Sequence, residues 1–315
     1  MIIYSLSLLL ISLFLIAIFS ERVIRYSLVL SKFLGLSEVA AGFILLSTTT
    51  SLPELSICTY AAVIGEGALS VGNIFGSNIT ILTLVIGLAI ILSKTPILIK
   101  RRSNKELVQL LFFSSIIPLF IFQRGGLGPI LGIILLMFFI RFALMMSRKP
   151  IEIRPIKAVK KKDKVVTVFK FIVCVGLIVM LSRLVVSSSL DIANFLNLPL
   201  SIMGATIVSL GTTLPELATT TQALRKKMYE LALGNLLGSC ITSITLVLGI
   251  SSLISFSEVN VLAVQNIMFF LLLSSMVIWY MISTGNRISR KEAFILCAIY
   301  VLFILQQTGV SIFIF

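Results

Sequence analysis

Residues 47–60 read STTTSLPELSICTY, and they place hydroxyl side chains, a proline and a carboxylate inside an apolar segment long enough to cross a membrane. An ionised side chain at the centre of a bilayer costs at least ~2.5–3.5 kcal/mol on insertion scales, so it is expected to face a partner or a cavity. Glu54 is therefore a candidate functional residue.

The same pattern returns 162 residues later, where residues 209–222 read SLGTTLPELATTTQ and Glu216 aligns with Glu54. Without a gap, this offset also aligns VGNIFGSNITILTLVIGL (residues 71–88) with LGNLLGSCITSITLVLGI (residues 233–250). A single offset that satisfies two separated motifs indicates that the chain consists of two homologous halves.

The composition is that of a polytopic membrane protein. Hydrophobic residues make up 58% of the chain, charged residues 12%, and the mean hydropathy is +1.14, whereas soluble domains are about 45–50% apolar. There is no histidine, the commonest transition-metal ligand. The four cysteines lie in apolar segments without paired metal spacing, so we interpret them as small buried hydrophobic residues.

The apolar pattern predicts an all-α membrane protein of ten transmembrane helices, and no soluble domain. No Lys or Arg precedes Glu21 and no small-residue cleavage site follows, so residues 1–20 are expected to be a mature helix rather than a signal peptide. The predicted segments are 2–20, 39–63, 69–92, 106–122, 127–146, 166–189, 199–224, 230–254, 260–283 and 291–306.

Alternating these segments across the membrane places 22 of the 26 Lys and Arg residues in connections on one side. By the positive-inside rule that side is cytoplasmic, so both termini are expected outside a multi-pass protein of the cell membrane. Five segments in each half require the second half to enter the membrane in the opposite direction. The prediction is two inverted five-helix repeats, an arrangement in which secondary transporters bind substrate near the midplane.

The domain prediction follows from these halves: residues 1–146 with the motif at 47–88, and residues 166–315 with the motif at 209–250. Residues 147–165 form a basic linker, which we interpret first as a topology determinant and second as a contact for anionic lipid. Nucleic acid is not an expected partner, because no aromatic or folded reading element accompanies the charge.

Proline in each acidic motif is expected to expose a backbone oxygen beside the carboxylate. Pro53 has no N–H to donate to the carbonyl of Thr49, and Pro215 has none for that of Gly211. Hydroxyl groups share a helix face with each glutamate, namely Thr50 and Ser51 with Glu54, and Thr212 and Thr213 with Glu216. Oxygen ligands of this kind suit a hard cation such as Ca²⁺.

The G-N-x-x-G-S motifs begin the next segment of each half. Gly72 with Gly76, and the equivalent Gly234 with Gly238, have the spacing that allows close helix packing. For the nearby Ser77 and Ser239, two interpretations are about equally supported, namely interhelical hydrogen bonding and cation binding. Asn73, Asn78 and Asn235 are further candidates for either role.

These paired motifs resemble those of the sodium/calcium exchanger family in the cation/calcium antiporter superfamily, whose repeats carry G-T-S-x-P-E and G-N-x-x-G-S-N. The resemblance covers nearly the whole chain and implies ten helices in inverted halves, with segments 1 and 6 as long gating helices. It implies that Glu54 and Glu216 are the principal cation ligands. The implied subsidiary ligands are Thr50, Ser51, Thr212, Thr213, Ser77 and Ser239, with backbone oxygens near Thr49 and Gly211.

The function implied is exchange of Ca²⁺ for Na⁺ by alternating access, without an enzyme activity or a cofactor. The partners are inorganic cations and the lipid bilayer; the oligomeric state stays open, and a monomer is consistent with the sequence. The chain departs from the family pattern at Thr49, which stands at the glycine of G-T-S, and at Cys240, which stands opposite Asn78. At two further positions Ile81 and Ser243 replace an Asn or Asp. Ile81 and Ser243 keep a second hypothesis open, a proton-coupled Ca²⁺ or cation exchanger that uses the same glutamates.

A channel and an intramembrane enzyme are the remaining alternatives. Inverted halves around one buried site favour alternating access over a channel. An enzyme would lack histidine, and both Asp163 and Asp191 are assigned to loops. Neither a serine–histidine dyad nor the usual ligands of a zinc protease are therefore available.

Overall fold

The computed structural model describes residues 2–33, 48–99, 108–116, 128–147, 163–254, 261–285 and 287–307, and they are almost entirely helical. Each of the ten predicted apolar segments contains helix in the described part. The linker prediction for residues 147–165 falls largely on 148–162, outside the described residues. Cys58, Cys174 and Cys240 are buried as expected and Cys297 is partly exposed, and all four are free thiols.

Two long helices, α1 (Ile2–Phe33) and α6 (Asp163–Leu196), pack along each other. Only 28% of the apolar span of α1 and 22% of that of α6 is buried, so both helices lie at the periphery of the fold. Near one end of the pair, the hydroxyl of Ser5 donates a hydrogen bond of 3.0 Å to Oδ2 of Asp191.

The predicted ends of these two segments were wrong. Arg22 and Arg25, assigned to a cytoplasmic connection, lie inside α1, and Asp191, assigned to a loop, lies inside α6. At 1.5 Å per residue, 32 residues span ~48 Å and exceed the ~30 Å of hydrocarbon, so polar turns can continue a helix beyond the bilayer. A salt bridge of 3.5 Å between Arg25 and Glu21 joins adjacent turns of this extension.

The centre of the fold is formed by five helices. The two most buried are α3 (Gly67–Ser93), with 83% of its apolar span buried, and α9 (Tyr229–Ile254), with 78%. Their contacts run between the two halves of the chain as well as within each half. These helices are α2 (Leu52–Val63), α3 (Gly67–Ser93), α7 (Leu200–Thr212), α8 (Leu214–Arg225) and α9 (Tyr229–Ile254).

Local structure in the two halves repeats with the offset found in the sequence. Helices α2 and α8 begin and end 162 residues apart, and a π-helical turn at Ile81–Val85 in α3 is matched by Ser243–Val247 in α9. The connections before α3 and α9 also match, because Gly65 and Lys227 both adopt positive φ angles, 85° and 58°. The two halves therefore share backbone conformation as well as sequence.

Glycines allow the two halves to approach closely at the centre. A Cβ atom added to Gly72 or Gly76 of α3 would overlap the backbone of Ser201 or Ala205 in α7. In the other direction, a Cβ at Gly204 would lie 2.7 Å from the backbone nitrogen of Asn73. The small-residue spacing therefore serves helix packing, as the sequence indicated.

The remaining helices pack across the halves. Helix α5 (Pro129–Ser147) lies against the C-terminal part of α9, while α11 (Arg290–Gln307) lies against the corresponding part of α3. Helix α10 (Val261–Thr284) also contacts α3, and a further helix, α4, covers residues 108–116.

A short antiparallel sheet joins the two halves at one end of the bundle. Strand β1 (Ile97–Leu98) pairs with β2 (Arg287–Ile288), with Ile97 opposite Ile288. The guanidinium of Arg290 donates a hydrogen bond of 2.9 Å to the carbonyl of Lys94 beside this sheet. These strands were not predicted from the sequence, since two-residue strands carry no periodic signal.

Five helices of the described chain are long and apolar enough to cross a membrane, or six if α7 and α8 count as one bent span. Helix α2 and the apolar part of α5 are shorter. Ten crossings and inverted halves therefore stay predictions, while the structure shows a helical fold with several helices apolar enough to cross a membrane.

Candidate cation site

Glu54 and Glu216 lie in the first turns of two short helices, α2 and α8, each of which follows a break in the chain. Each helix carries a proline, Pro53 or Pro215, at its start. Proline is favoured there because its missing N–H is not needed in the first turn. A carboxylate in that turn is stabilised by the positive end of the helix dipole, so the same short motif places and supports the charge.

The structure places a break in the helix within each acidic motif. Helices α7 and α8 meet at Thr213 with a bend of 41°, and Ser51 separates a helical turn at 48–50 from α2. Proline has no N–H to donate to the preceding turn, so it favours the start of a helix over the interior of a continuous one. Backbone hydrogen bonds continue across the break in the second half, since the N–H of Thr213 donates to the carbonyl of Ser209 and the N–H of Leu217 donates to that of Thr213, both at 3.1 Å.

Every predicted site residue is buried in the structure. Glu54 is 1% exposed and Glu216 is fully buried. Ser51, three residues before Glu54, contacts Ser239, which in turn contacts Glu216, so the two acidic motifs meet in one region of the interior. The other buried members of the predicted set are Thr49, Thr50, Ser51, Ser77, Gly211, Thr212, Thr213 and Ser239.

A hydrogen-bonded chain connects the acidic motif of the first half to that of the second. The hydroxyl of Ser239 donates to Oε1 of Glu216 at 3.1 Å, and its oxygen lies 3.1 Å from the hydroxyl oxygen of Ser51. Because the hydrogen of Ser239 is used on the carboxylate, Ser51 is the donor in the second contact. Ser51, Ser239 and Glu216 thus form a link between α2, α9 and α8.

Glu54 has a different environment. The side chain of Thr212 lies beside its carboxylate, but the Thr212 hydroxyl donates to the carbonyl of Ser209 at 3.2 Å. Within the described chain, neither carboxylate oxygen of Glu54 has a hydrogen-bond partner, and Oε2 of Glu216 also lacks one. Three buried carboxylate oxygens are therefore available to a ligand.

Other hydroxyls of the predicted set donate to their own helices. Ser77 donates to the carbonyl of Ile74 at 3.1 Å, and Thr213 donates to that of Ser209 at 2.9 Å. A hydroxyl whose hydrogen is engaged still has oxygen lone pairs, which accept hydrogen bonds or coordinate a cation. The hydroxyl oxygens of Ser77 and Thr213 can therefore still accept a hydrogen bond or coordinate a cation.

Gly211 has a packing role that the sequence did not reveal. A Cβ atom at this position would lie 2.7 Å from both methyl groups of Leu13 in α1. The absence of a side chain therefore lets a peripheral helix approach the acidic motif of the second half. The equivalent residue of the first half is Thr49, so the two halves differ at this point.

The interior contains further buried polar atoms outside the main predicted set. Asn73 donates its amide to the sulfur of Cys58 at 3.3 Å, which leaves its carbonyl oxygen without a partner. Ser243 could have been identified from the sequence as a residue of this polar cluster, because it lies four residues, or one helical turn, after Ser239. Buried side chains with at least one unpartnered polar atom in the described region include Asn73, Asn78, Asn235, Thr242 and Ser243.

The donor set suits a hard cation better than a transition metal. The described chain contains no cluster of three or more His, Cys, Asp and Glu residues. The available groups are carboxylate, hydroxyl and amide oxygens, which are the ligands that Ca²⁺ prefers. This geometry is chemically suited to binding a cation whose charge balances the two glutamates.

The fold and this centre define an integral, multi-pass helical membrane protein with a buried acidic core. The sequence profile of the sodium/calcium exchanger protein family matches residues 4–148 and 166–309, and the chain belongs to that family. Each half is matched, and the gap between the matches falls within the predicted linker. Because the family consists of transporters, the intramembrane-enzyme alternative is excluded.

Individual relatives agree with this assignment. The sodium/calcium exchanger MaX1 of Methanosarcina acetivorans is 28% identical, over 90% of this chain and 93% of that protein. The inner membrane protein YrbG of Escherichia coli is 29% identical over 82% of each chain. A solved structure of the sodium-calcium exchanger NCX_Mj is 25% identical, covers 96% of this chain and 98% of that chain, and superposes with a TM-score of 0.66.

Proposed function

We propose that this protein is a secondary antiporter that exchanges Ca²⁺ for Na⁺, with both ions competing for oxygens around Glu54 and Glu216. The observation that carries the proposal is the burial of two carboxylates at equivalent positions of the two repeats. In the described chain no Lys or Arg is buried with them. A bound cation would supply the missing positive charge.

The coupling would arise from electrostatics. Removing an ionised carboxylate from water costs several kcal/mol even after the protein relaxes, and leaving it unpaired is strongly unfavourable. The protein would therefore change between outward-facing and inward-facing states only when its two glutamates are neutralised. Because the protein would not change between these states without a bound cation, transport of one ion in one direction would require transport of another in the opposite direction. The protein would then act as an antiporter that works by alternating access.

The proposed ligands beside the two glutamates are the six hydroxyls and two backbone oxygens of the predicted set. Support comes from the burial of all of them and from the hydroxyl groups that donate to backbone carbonyls. In this proposal Ser239 orients Glu216, while Glu54 is free to turn toward the ion. The ligand set is Thr50, Ser51, Ser77, Thr212, Thr213 and Ser239, with the backbone oxygens of Thr49 and Gly211.

We also propose ten crossings in two inverted repeats, residues 1–146 and 166–315, joined by the linker at 147–165. The repeated helix boundaries and the cross-packing of α5 and α11 support this arrangement. The protein would lie in the cell membrane with both termini outside, and α1 with α6 would form the peripheral gate. Labelling of single cysteines introduced near Ile3 and in the linker would test the orientation, because only the former should react with an impermeant reagent from outside.

A proton is the second candidate for the coupling ion. The observation that favours it is the fully buried Ile81, which offers no oxygen where the family carries a polar group. Protonation would neutralise the same carboxylates as sodium. The glutamate pair would then serve a Ca²⁺/H⁺ exchanger without any change in the gating argument.

The experiment is calcium uptake into liposomes that contain the purified protein. An outward sodium gradient and an outward proton gradient are imposed separately, with protein-free liposomes as control. Uptake driven by sodium supports the main proposal, and uptake driven only by protons supports the second candidate. Calcium flux that persists without any counter-ion would indicate a channel and contradict both.

A further inference from the structure

Helix α5 has one packed face and one exposed face. Leu135 is fully buried, and a Cβ atom added to Gly132 would lie 2.7 Å from the carbonyl oxygen of Gly249 in α9. On the other face, Met137 is 64% exposed and Leu144 is 59% exposed. Because this chain is a membrane protein, an exposed apolar face of this size is expected to lie against the acyl chains of lipid.

The exposed face of α5 carries one charged side chain, Arg141, which is the only charged residue in the helix. No residue that the structure describes forms an ion pair or a hydrogen bond with it. Arg141 lies six residues before Ser147, the predicted cytoplasmic end of the helix, which corresponds to ~9 Å along the axis. An arginine on the lipid-facing side of a helix is costly unless its guanidinium reaches water or an anion.

The second half of the chain contains a helix packed in the same way as α5. A Cβ atom on Gly249 would lie 3.3 Å from the carbonyl oxygen of Gly132 in α5. A Cβ atom on Gly87, which is 162 residues before Gly249, would lie 2.8 Å from the carbonyl oxygen of Ala293 in α11. Helix α11 therefore packs on α3 as α5 packs on α9, and Ala293 is the structural equivalent of Gly132.

This alignment pairs Arg141 with an apolar residue of the other half. The equivalent residue in α11 is Leu302, which is also exposed. Both halves therefore direct this position away from the protein interior, and one of them fills it with hydrocarbon. Helix packing does not require an arginine at position 141, so its charge has another role.

A groove of about 910 Å³ adjoins Arg141, within the range of about 300–1,000 Å³ that is usual for ligand pockets. Most of its described lining residues lie three or four positions apart between 134 and 145 of α5, so they follow one helix face for ~16 Å. The apolar side chains of Ile134, Met137 and Phe138 precede Arg141 along this face. The groove thus combines an apolar wall with a cation nearer the end of the helix.

We infer that this groove binds an anionic glycerophospholipid, with an acyl chain along Ile134, Met137 and Phe138 and the phosphate at Arg141. A planar guanidinium matches two phosphate oxygens at once. The order of apolar wall and cation along α5 is that of a lipid, whose chain points to the bilayer centre and whose phosphate lies at its surface. An anionic headgroup is favoured over a zwitterionic one because it brings no second cation to Arg141. This site shares no residue with the candidate cation site.

The test measures lipid binding to the purified full-length protein in detergent. The melting temperature is followed as phosphatidylglycerol, phosphatidylcholine or inorganic phosphate is added. Phosphatidylglycerol is expected to raise it at lower concentrations than phosphatidylcholine, and inorganic phosphate is expected to have no effect. Equal effects of the two lipids, or an equal effect of inorganic phosphate, overturn the inference whether or not any variant folds.

Arg141→Leu separates the role of the charge from that of the fold, since leucine occupies the equivalent position of α11. It should raise the phosphatidylglycerol concentration needed for a half-maximal shift by about 10–100-fold, the contribution of a hydrogen bond to a charged group. Arg141→Lys keeps the charge without the planar fork, so its effect should be intermediate. Lys170→Leu, at an exposed position of α6 outside the groove, is the matched control and should bind as wild type does. Binding by Arg141→Leu equal to that of wild type or of Lys170→Leu overturns the inference.

A second pair of variants tests the apolar wall without changing charge. Met137 and Ile133 are both exposed on α5, but only Met137 lines the groove in the described chain. Met137→Trp should fill the groove and weaken binding of phosphatidylglycerol, whereas Ile133→Trp should not. Equal binding by the two variants would show that the acyl chain does not occupy this groove.

Discussion

Ser51 and Ser239, which are 188 residues apart in the chain, place their hydroxyl oxygens 3.1 Å apart in the protein interior. Since Ser239 also donates to Glu216, this contact links the break before α2 to the acidic residue of the other half. Within the part of the chain that the structure describes, the carboxylate of Glu216 is therefore held by a hydrogen bond while that of Glu54 is not. The two glutamates are equivalent in sequence but differ in how firmly they are positioned.

Removing the serine hydroxyls should weaken calcium binding. Ser239→Ala removes a hydrogen bond to a carboxylate, worth about 1.5–3 kcal/mol, whereas Ser51→Ala removes a neutral one, worth about 0.5–1.5 kcal/mol. The double variant should lose less than the sum, because both hydroxyls belong to one chain. The measurement is the calcium dependence of exchange in liposomes.

Ser7→Ala is the control for this series, because the Ser7 hydroxyl is exposed and donates to the carbonyl of Tyr4 within α1. It should behave as wild type. Strictly additive losses for Ser51 and Ser239 would show that the contact between them has no energetic consequence.

Replacing either glutamate by glutamine should abolish calcium exchange and leave the protein folded. The amide preserves shape but carries no charge, and removing an unpaired buried charge relieves a desolvation cost. The melting temperature in detergent should therefore be unchanged or raised. Glu66→Gln, at a partly exposed position before α3 where the side chain makes no capping hydrogen bond, is the control for transport. Exchange at the native rate and affinity in Glu54→Gln or Glu216→Gln would refute the site.

Gly76→Ala should destabilise the protein by about 1–3 kcal/mol, the usual cost of overpacking. A Cβ there overlaps the backbone of Ala205, and backbone cannot move aside as a flexible side chain can. Gly176→Ala is the matched control, because nothing lies within 4 Å of a Cβ at that helical position. It should be neutral or stabilising by up to about 1 kcal/mol. Thermal unfolding in detergent would compare them, and equal melting temperatures would contradict the packing role of Gly76.

Gly211→Ala should lower the stability of the protein, because the added methyl group would clash with the side chain of Leu13 rather than with backbone atoms. The added Cβ meets only Leu13 among its nearest atoms, so Leu13→Ala should restore part of the loss when the two are combined. Leu13→Ala alone should destabilise, because Leu13 is 4% exposed. Additive losses in the double variant would show that the clash with Leu13 is not the cause.

The helices and the acidic residues were predictable because they have local signals. Apolar runs mark helices, and the repeated proline–glutamate motif marks an unusual charge in such a run. The ends of α1 and α6 were not predictable, since polar turns continue both helices by contacts such as Glu21 with Arg25. The breaks at Ser51 and Thr213 had a signal in the following prolines, but proline alone does not distinguish a broken helix from a kinked one.

By itself, the sequence determined that this is a membrane protein of two homologous halves, each with one glutamate in an apolar segment. These properties depend on composition and on a repeat, and both can be read directly from the order of residues along the chain. Only the tertiary structure decided that Ser51 meets Ser239, that α5 and α11 pack across the halves, and that Gly211 accommodates Leu13. Such contacts depend on how helices distant in the chain are placed against one another, and close packing makes that placement a property of the whole fold.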